Sequence, residues 1–131
     1  MTRLVRVVAT GLQLLVAGPL FAQQTTTFTV GSATAAPGKT AYGAIGIPAG
    51  SDSATSIPVA VIRGARPGPI VAFVAGSHGT EYSSIVAMQR LIGRIDAAKL
   101  AGTVIVAPLL NVASFEQMTP HVDPIDRFLV I

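Results

Sequence analysis

The fold of this chain is decided by IVAFVAGSHGTEYSSIVAMQRL at residues 70–91, followed by GTVIVAPLLNVASF at residues 102–115. The run 70–75 is continuously apolar and rich in β-branched residues, which predicts a strand that is buried on both faces. A second run of this kind covers residues 103–107. Between the two runs, apolar residues recur at helical spacing over about residues 81–95, which predicts an amphipathic helix.

Strand, helix and strand in this order predict a βαβ unit with two parallel strands, and the crossover of such units is right-handed in about 98% of cases. The carboxyl ends of both strands then open at one edge of the sheet, where open α/β sheets bind their ligands. His78 and Glu81 follow the first strand, and Asn111 follows the second. The sequence therefore predicts a ligand site at this edge.

The residues of the GSHGTE motif at 76–81 are of the types that bind metal ions. A histidine and a glutamate three residues apart at a helix entry can point to the same side, and both are good Zn²⁺ ligands. A catalytic zinc normally takes three protein ligands and one water, so this motif would supply two of them. In the alternative interpretation, Glu81 is a carboxylate favoured by the helix dipole and His78 is an exposed loop residue.

The segments before residue 70 carry weaker signals. Ile57–Ile62 is a strand candidate in which Pro58 favours a sheet edge or a strand start. The two glycines and two prolines of residues 63–69 predict a turn. Residues 23–56 form a Thr/Ala/Gly-rich region with two further strand candidates and a loop, at 25–30, 41–47 and 50–55.

Residues 1–22 have the layout of a secretory signal peptide. Arg3 and Arg6 precede an apolar run at 7–17, and a small residue, Ala22, closes the segment. The run is short for a membrane-spanning helix, which needs about 20 residues, although an uncleaved anchor is the alternative. We therefore expect a periplasmic or secreted protein without stable membrane insertion after cleavage.

Composition and charge exclude several functions. The 131 residues are 50% hydrophobic and 11% charged, and they include no cysteine, which excludes a disulfide scaffold, a zinc ribbon and a thiol nucleophile. The net charge is +3, but residues 1–22 hold two of the nine basic residues. The remainder has seven basic and six acidic side chains, a net charge of +1. These basic residues are scattered along the sequence, so we expect no nucleic-acid partner.

The stretch from about Pro67 to Phe115 resembles the succinylglutamate desuccinylase/aspartoacylase family, zinc-dependent deacylases related to the zinc carboxypeptidases. The shared pattern is an apolar strand, G-x-H-G-x-E, an amphipathic helix, an apolar strand ending at a proline, and an asparagine. The resemblance implies an α/β fold with a mostly parallel sheet of the zinc-carboxypeptidase-like type. It also implies that His78 and Glu81 hold Zn²⁺, that Asn111 helps to shape the active site, and that the substrate is an N-acyl amino acid or a similar small amide.

The sequence departs from the family pattern after the asparagine. Family members continue into a D-G-x-x-x-N-R segment, of which residues 124–126 form only a start before RFLVI at 127–131. The family's third zinc ligand, a later histidine, and its general-base glutamate are not matched. We therefore expect residues 57–131 to be an incomplete, truncated deacylase domain. The alternative is a catalytically inactive fragment or a non-enzymatic exported binding module. His121 would complete a set of two histidines and one glutamate in number, and its alternative is an exposed loop residue.

Overall fold

The computed structural model describes residues 26–50 and 53–120, which form six strands and two helices. The strands form a two-stranded sheet and a four-stranded sheet. In chain order the elements are β1 (Phe28–Val30), β2 (Ala33–Ala35), β3 (Lys39–Ile47), β4 (Thr55–Arg63), β5 (Arg66–Val74), α1 (Tyr82–Ile92), β6 (Ala101–Ala107) and α2 (Val112–Glu116).

The antiparallel hairpin β1–β2 packs against the larger sheet. Gly31, in the turn between these strands, has a φ of +56°, and a Cβ there would lie 2.2 Å from the carbonyl oxygen of Ala44 in β3. Two alanines of β2 are buried against two valines of β4 and form the first core cluster, Ala33, Ala35, Val59 and Val61. The hairpin, which carries few large side chains, therefore covers part of the sheet by close backbone approach.

The four-stranded sheet has the order β3-β4-β6-β5 and is mixed. β3 pairs antiparallel with β4 along nine residues, β4 pairs antiparallel with β6, and only β5 and β6 are parallel. The expectation of a mostly parallel sheet is therefore wrong for the described residues, which form a mostly antiparallel sheet in a small α/β fold. The physical reason is that β3 and β4 form a hairpin, and only the pair joined by a helical crossover is parallel.

The βαβ unit is confirmed as β5–α1–β6. The helix is shorter than predicted, because it ends at Ile92 and the chain turns at Gly93. Ile85 is the one buried residue of α1. Further along, the helix packs through Met88 and Ile92 onto a second core cluster, Ile62, Ala97, Val104 and Val106.

β5 differs most from its prediction. Its nine residues are all exposed, whereas the sequence predicts a strand buried on both faces. The reason is its place at the edge of the sheet, next to β6 alone among the described strands. The strand also begins at Arg66, inside the stretch predicted as a turn, and its pairing with β6 is irregular between Arg66 and Ile70.

The sequence predicts that Pro58 lies at a sheet edge or a strand start. β4 as a whole has neighbours on both sides, so it is not an edge strand, but Pro58 lies in the first half of β4. Pro58 pairs with Ala44 of β3, but the pairing of β4 with β6 begins only at Ala60. The proline therefore lies where β4 has one neighbour, a position that tolerates the missing N–H.

The remaining predictions concern the weaker strands, membrane-spanning helices and residues outside the described ranges. The weaker strand candidates correspond to β1 and β3, while β2 was not predicted. No helix among the described residues is long and apolar enough to cross a bilayer. The predicted signal peptide at 1–22 and His121 lie outside the described residues.

Candidate metal site

The loops after β5 and β6 are held together by backbone hydrogen bonds that continue beyond the strands. Ala75 N donates to Ala107 O at 3.0 Å, and Leu110 N donates to Ala75 O at 2.9 Å. One step further, Asn111 N donates to Gly76 O at 2.9 Å. The structure therefore brings the carboxyl ends of the two parallel strands together, as the βαβ unit predicts, and places Asn111 beside the loop that carries His78.

Two glycines allow this loop to pack closely. Gly76 has a φ of +64°, and a Cβ there would lie 2.9 Å from Leu109 Cδ1. A Cβ on Gly79 would lie 2.1 Å from the carbonyl carbon of Ser114 and 2.3 Å from the backbone nitrogen of Phe115, both in α2. These two glycines therefore allow the loop, which precedes α1 in the chain, to pack closely against Leu109 and against α2.

His78 and Glu81 face each other at the entry of α1. The distance from His78 Nδ1 to Glu81 Oε1 is 2.7 Å, and each side chain is 44% exposed. The loop makes a tight turn here, because Glu81 N donates to His78 O at 3.2 Å. This turn places both side chains on one side, as their spacing predicts.

Glu81 is the residue immediately before α1. The helix thus begins one residue later than the sequence predicts. The side chain of Glu81 makes no capping hydrogen bond to the helix backbone. The carboxylate is instead within hydrogen-bonding distance of the imidazole of His78. The helix dipole still favours a negative charge at this position, as the alternative interpretation states. The hydrogen-bonding partner of the Glu81 carboxylate is nevertheless His78.

The pair fits two positions of a zinc site by donor type and by distance. Zinc binds imidazole nitrogen and carboxylate oxygen at about 2.0–2.2 Å, so two ligands of a tetrahedral ion lie about 3.3 Å apart. The two donor atoms need to separate only slightly from their 2.7 Å hydrogen bond, and their exposure leaves a path for an ion. Within residues 26–50 and 53–120, no group of three or more His, Cys, Asp or Glu side chains could hold a metal. This part of the chain therefore offers two candidate ligands, His78 and Glu81.

Asn111 has a structural role that the sequence reasoning missed. It is the N-cap residue of α2, and its Oδ1 accepts a hydrogen bond from Ser114 N at 3.0 Å. A signal was present in the sequence, since asparagine is among the residues most favoured at this position. The amide group of Nδ2 is the part of this side chain that can donate to a substrate.

An aromatic contact joins the two helices that flank the site. The rings of Tyr82 and Phe115 pack edge to face, with centroids 5.8 Å apart and an interplanar angle of 71°. Tyr82 directly follows Glu81, so the contact ties the start of α1 to α2. No local pattern predicts it, because the two residues are far apart in the chain.

Residues 67–129 match the sequence profile of the succinylglutamate desuccinylase/aspartoacylase catalytic domain. These residues belong to that family. A relative from Halomonas elongata, N-alpha-acetyl-L-2,4-diaminobutyric acid deacetylase, is 35% identical over 74 residues, which cover 53% of this chain and 21% of the relative. The chain thus spans about a fifth of the length of this relative.

Solved structures of the family share the fold in part. An aspartoacylase family protein from Mesorhizobium loti superimposes with a TM-score of 0.55 at 27% identity, covering 66% of this chain and 27% of that one. A succinylglutamate desuccinylase/aspartoacylase from Rhodobacter sphaeroides gives a TM-score of 0.56 at 27% identity, covering 65% and 27%. The family resemblance seen in the sequence is confirmed, and the fold described here corresponds to a part of a larger one.

Proposed function

We propose that this chain carries part of the active site of a zinc-dependent deacylase. The reaction is hydrolysis of the amide bond of an N-acyl amino acid or a similar small substrate. The observation that carries the proposal is the 2.7 Å approach of His78 and Glu81 at the carboxyl ends of the parallel strands, inside the segment that matches the family. The name of the Halomonas elongata relative, a deacetylase of an N-acetylated amino acid, supports the substrate class.

In this proposal His78 and Glu81 hold the zinc ion. When bound, the metal activates a water molecule and polarises the carbonyl of the amide bond. His78 Nδ1 and Glu81 Oε1 already lie 2.7 Å apart, so a donor atom of each residue is in place before an ion binds. This preorganisation reduces the ordering cost of binding the ion.

Asn111 is proposed to position the substrate. Its backbone N–H donates a hydrogen bond to the carbonyl oxygen of Gly76, two residues before His78. Its Oδ1 accepts a hydrogen bond from Ser114 N in α2. These bonds restrict the side chain, which leaves the Nδ2 group to donate to a substrate carbonyl. Because a catalytic zinc normally takes three protein ligands, the proposal requires one more donor from outside the described residues. His121 is the candidate within this chain.

The experiment is zinc titration of the purified full chain, followed by an assay for amine release from N-acetyl amino acids. We expect His78→Ala and Glu81→Gln each to weaken zinc binding by more than about tenfold, because even the loss of a residue that only orients a metal ligand costs about 10–100-fold. Glu116→Gln is the matched control, because Glu116 is an exposed carboxylate at the end of α2. Zinc binding unchanged by His78→Ala would contradict the site.

Turnover separates the two functional candidates. Amine release that depends on zinc and on Asn111 would support the deacylase. Zinc binding without turnover would favour an inactive fragment or an exported binding module instead. His121→Ala in the same titration tests the third ligand, since a loss of affinity equal to that of His78→Ala assigns it to the metal.

We also propose that the chain is exported, on the basis of the signal-peptide layout of residues 1–22. Fractionation of cells that produce the full chain, with mass measurement of the exported product, tests this. Cleavage near Ala22 is expected. A full-length product confined to the cytoplasm would contradict export.

A further inference from the structure

A groove lies between the second half of α1 and the face of the sheet that β3 and β4 form. Tyr42 of β3 pairs with Ala60 of β4, so both side chains point to one face of the sheet. The same face carries Ile62, which belongs to the core cluster beneath α1. The groove has a volume of about 330 Å³, within the range of ligand pockets. Its walls include Tyr42, Pro58, Ala60, Gln89, Ile92 and Pro108.

The walls of this groove are uncharged and open to solvent. Every described residue that lines it is uncharged, and most are apolar. Tyr42 on the sheet is 69% exposed, and Gln89 on the helix is exposed as well. The phenol hydroxyl and the side-chain amide of these two residues can form hydrogen bonds with peptide groups. The groove therefore fits a short run of apolar residues better than a charged ligand.

The chain contains an apolar run for which the described residues provide no partner segment. After the predicted signal peptide, the residues outside the described ranges are 23–25, 51–52 and 121–131. Among these, only the last contains four consecutive apolar residues, FLVI at 128–131. A run of this length is unfavourable in water, so we expect it to be buried.

The described part of the chain ends close to the groove. Helix α2 begins four residues after Pro108, which lines the groove, and it contacts β4, which contributes another wall. Thr119 N donates to Ser114 O at 3.0 Å, so the chain is still bonded to α2 at that point. The eight residues from 121 to 128 reach at most about 29 Å when fully extended. The apolar run is therefore within reach of the groove.

The charges beside the groove are opposite in sign to those before the apolar run. Arg90 and Arg94, near the end of α1, each directly follow a residue that lines the groove, and both are exposed. Residues 121–127 contain Asp123, Asp126 and Arg127, a net charge of −1. Strand β5 is another exposed apolar surface, but β6 separates it from β4. Both charge and position therefore favour the groove.

We propose that residues 128–131 bind in the groove between α1 and the β3–β4 face of the same chain. Ile85 is the one buried residue of α1, so the apolar run adds packing that the described residues give this helix only sparingly. The aspartates at 123 and 126 then approach the arginines at 90 and 94, an attraction that salt weakens. The proposal depends neither on the zinc chemistry nor on cleavage of residues 1–22.

The test uses a chain that has no cysteine of its own, so two introduced cysteines are its only thiols. The full-length variant Gln89→Cys/Leu129→Cys has one thiol in the groove and one in the apolar run. It is treated at low concentration with a flexible bismaleimide, which tolerates a range of thiol separations. Mass spectrometry then gives the ratio of internally crosslinked chains to chains that carry two separate reagent molecules.

We expect this ratio to be about tenfold or more above that of the matched pair Ile70→Cys/Leu129→Cys, since docking raises the effective concentration of the two thiols. Ile70 is the control position because it is 58% exposed on β5, outside the groove. Equal ratios for the two pairs, or a higher ratio for the pair with Ile70, would overturn the proposal. Crosslinks that form mainly between two chains would assign the groove to a second copy and would also overturn it.

Further substitutions in the Gln89→Cys/Leu129→Cys variant test both surfaces. Tyr42→Ala in the groove, and separately Phe128→Ser/Val130→Ser in the apolar run, should each lower the ratio to that of the control pair. Ile47→Ala should leave the ratio unchanged, because Ile47 is a 39% exposed apolar residue of the same strand as Tyr42 and does not line the groove. Thermal melting followed by circular dichroism checks that the variants fold alike. A ratio unaffected by Phe128→Ser/Val130→Ser would contradict docking of the apolar run.

Discussion

At the scale of single residues, the packing of the GSHGTE loop depends on its glycines. Gly79 is buried, and the space for its Cβ is occupied by the backbone of α2 at Ser114 and Phe115. The backbone cannot move aside as the end of a flexible side chain can. The sequence spacing of His78 and Glu81 is enough to predict that their side chains lie on one side. The requirement for glycine at position 79, in contrast, depends on a helix more than thirty residues away.

We predict that Gly79→Ala destabilises the protein by about 3 kcal/mol, because the added methyl would overlap backbone atoms of α2. Gly93→Ala is the control, since its Cβ would lie 3.8 Å from the nearest atom, in a backbone with φ −72°. That variant should keep its stability or gain slightly. Urea denaturation measures both, and equal midpoints would refute the packing argument.

Ser114 and Thr103 form a second residue-scale test. Both are buried, but among the described residues Ser114 Oγ has no hydrogen-bond partner, whereas Thr103 Oγ1 accepts from Arg63 Nη1 at 3.0 Å. We predict that Ser114→Ala is neutral or stabilising by up to about 1 kcal/mol, because it removes a buried polar group without a partner. Thr103→Val should cost about 1–2 kcal/mol. Thermal melts of both variants decide, and a clear loss in Ser114→Ala would contradict this account.

At the scale of elements, the sequence predicts helices and strands well where apolar residues follow a single helical or strand-like pattern. The helix α1 and strand β6 follow from local patterns, and so does the parallel pairing of β5 with β6. The residues 66–69 were predicted as a turn because of their prolines and glycine, yet they belong to β5. An irregular, exposed edge strand tolerates residues that a central strand would exclude.

The short helix α2 depends on its cap. We predict that Asn111→Ala lowers stability by about 1 kcal/mol, because Oδ1 no longer accepts from Ser114 N. Asn111→Asp keeps the acceptor and should keep the stability. If the proposed role in substrate positioning is also correct, Asn111→Asp loses activity while it remains folded, since it lacks the Nδ2 donor. Equal melting temperatures for the alanine variant and the original chain would refute the capping role.

At the scale of the whole molecule, the edge strand β5 carries a run of exposed apolar residues. Four of its large apolar residues are exposed, namely Ile70, Val71, Phe73 and Val74, with Ile70 and Val74 each 58% exposed. A strand edge of this kind presents unpaired backbone groups and favours association between chains.

We therefore predict that the chain associates as its concentration rises and that Ile70→Lys/Val74→Lys reduces this association. Val86→Lys is the control, because Val86 is 40% exposed on α1, where the backbone is hydrogen-bonded within the helix. Sedimentation velocity over a range of concentrations measures the effect. Association that falls equally in the control would show that apolar exposure alone is responsible and that the strand edge is not.

The sequence by itself determined the βαβ unit, the sheet edge at which His78, Glu81 and Asn111 lie, and the family resemblance from about Pro67 to Phe115. These are local periodicities and short spacings, so neighbouring residues suffice to specify them. Only the tertiary structure decided that the sheet is mostly antiparallel, that β5 lies at its edge, and that Tyr82 packs on Phe115. Strand order and the meeting of distant side chains depend on pairing between segments far apart in the chain, which no local pattern encodes.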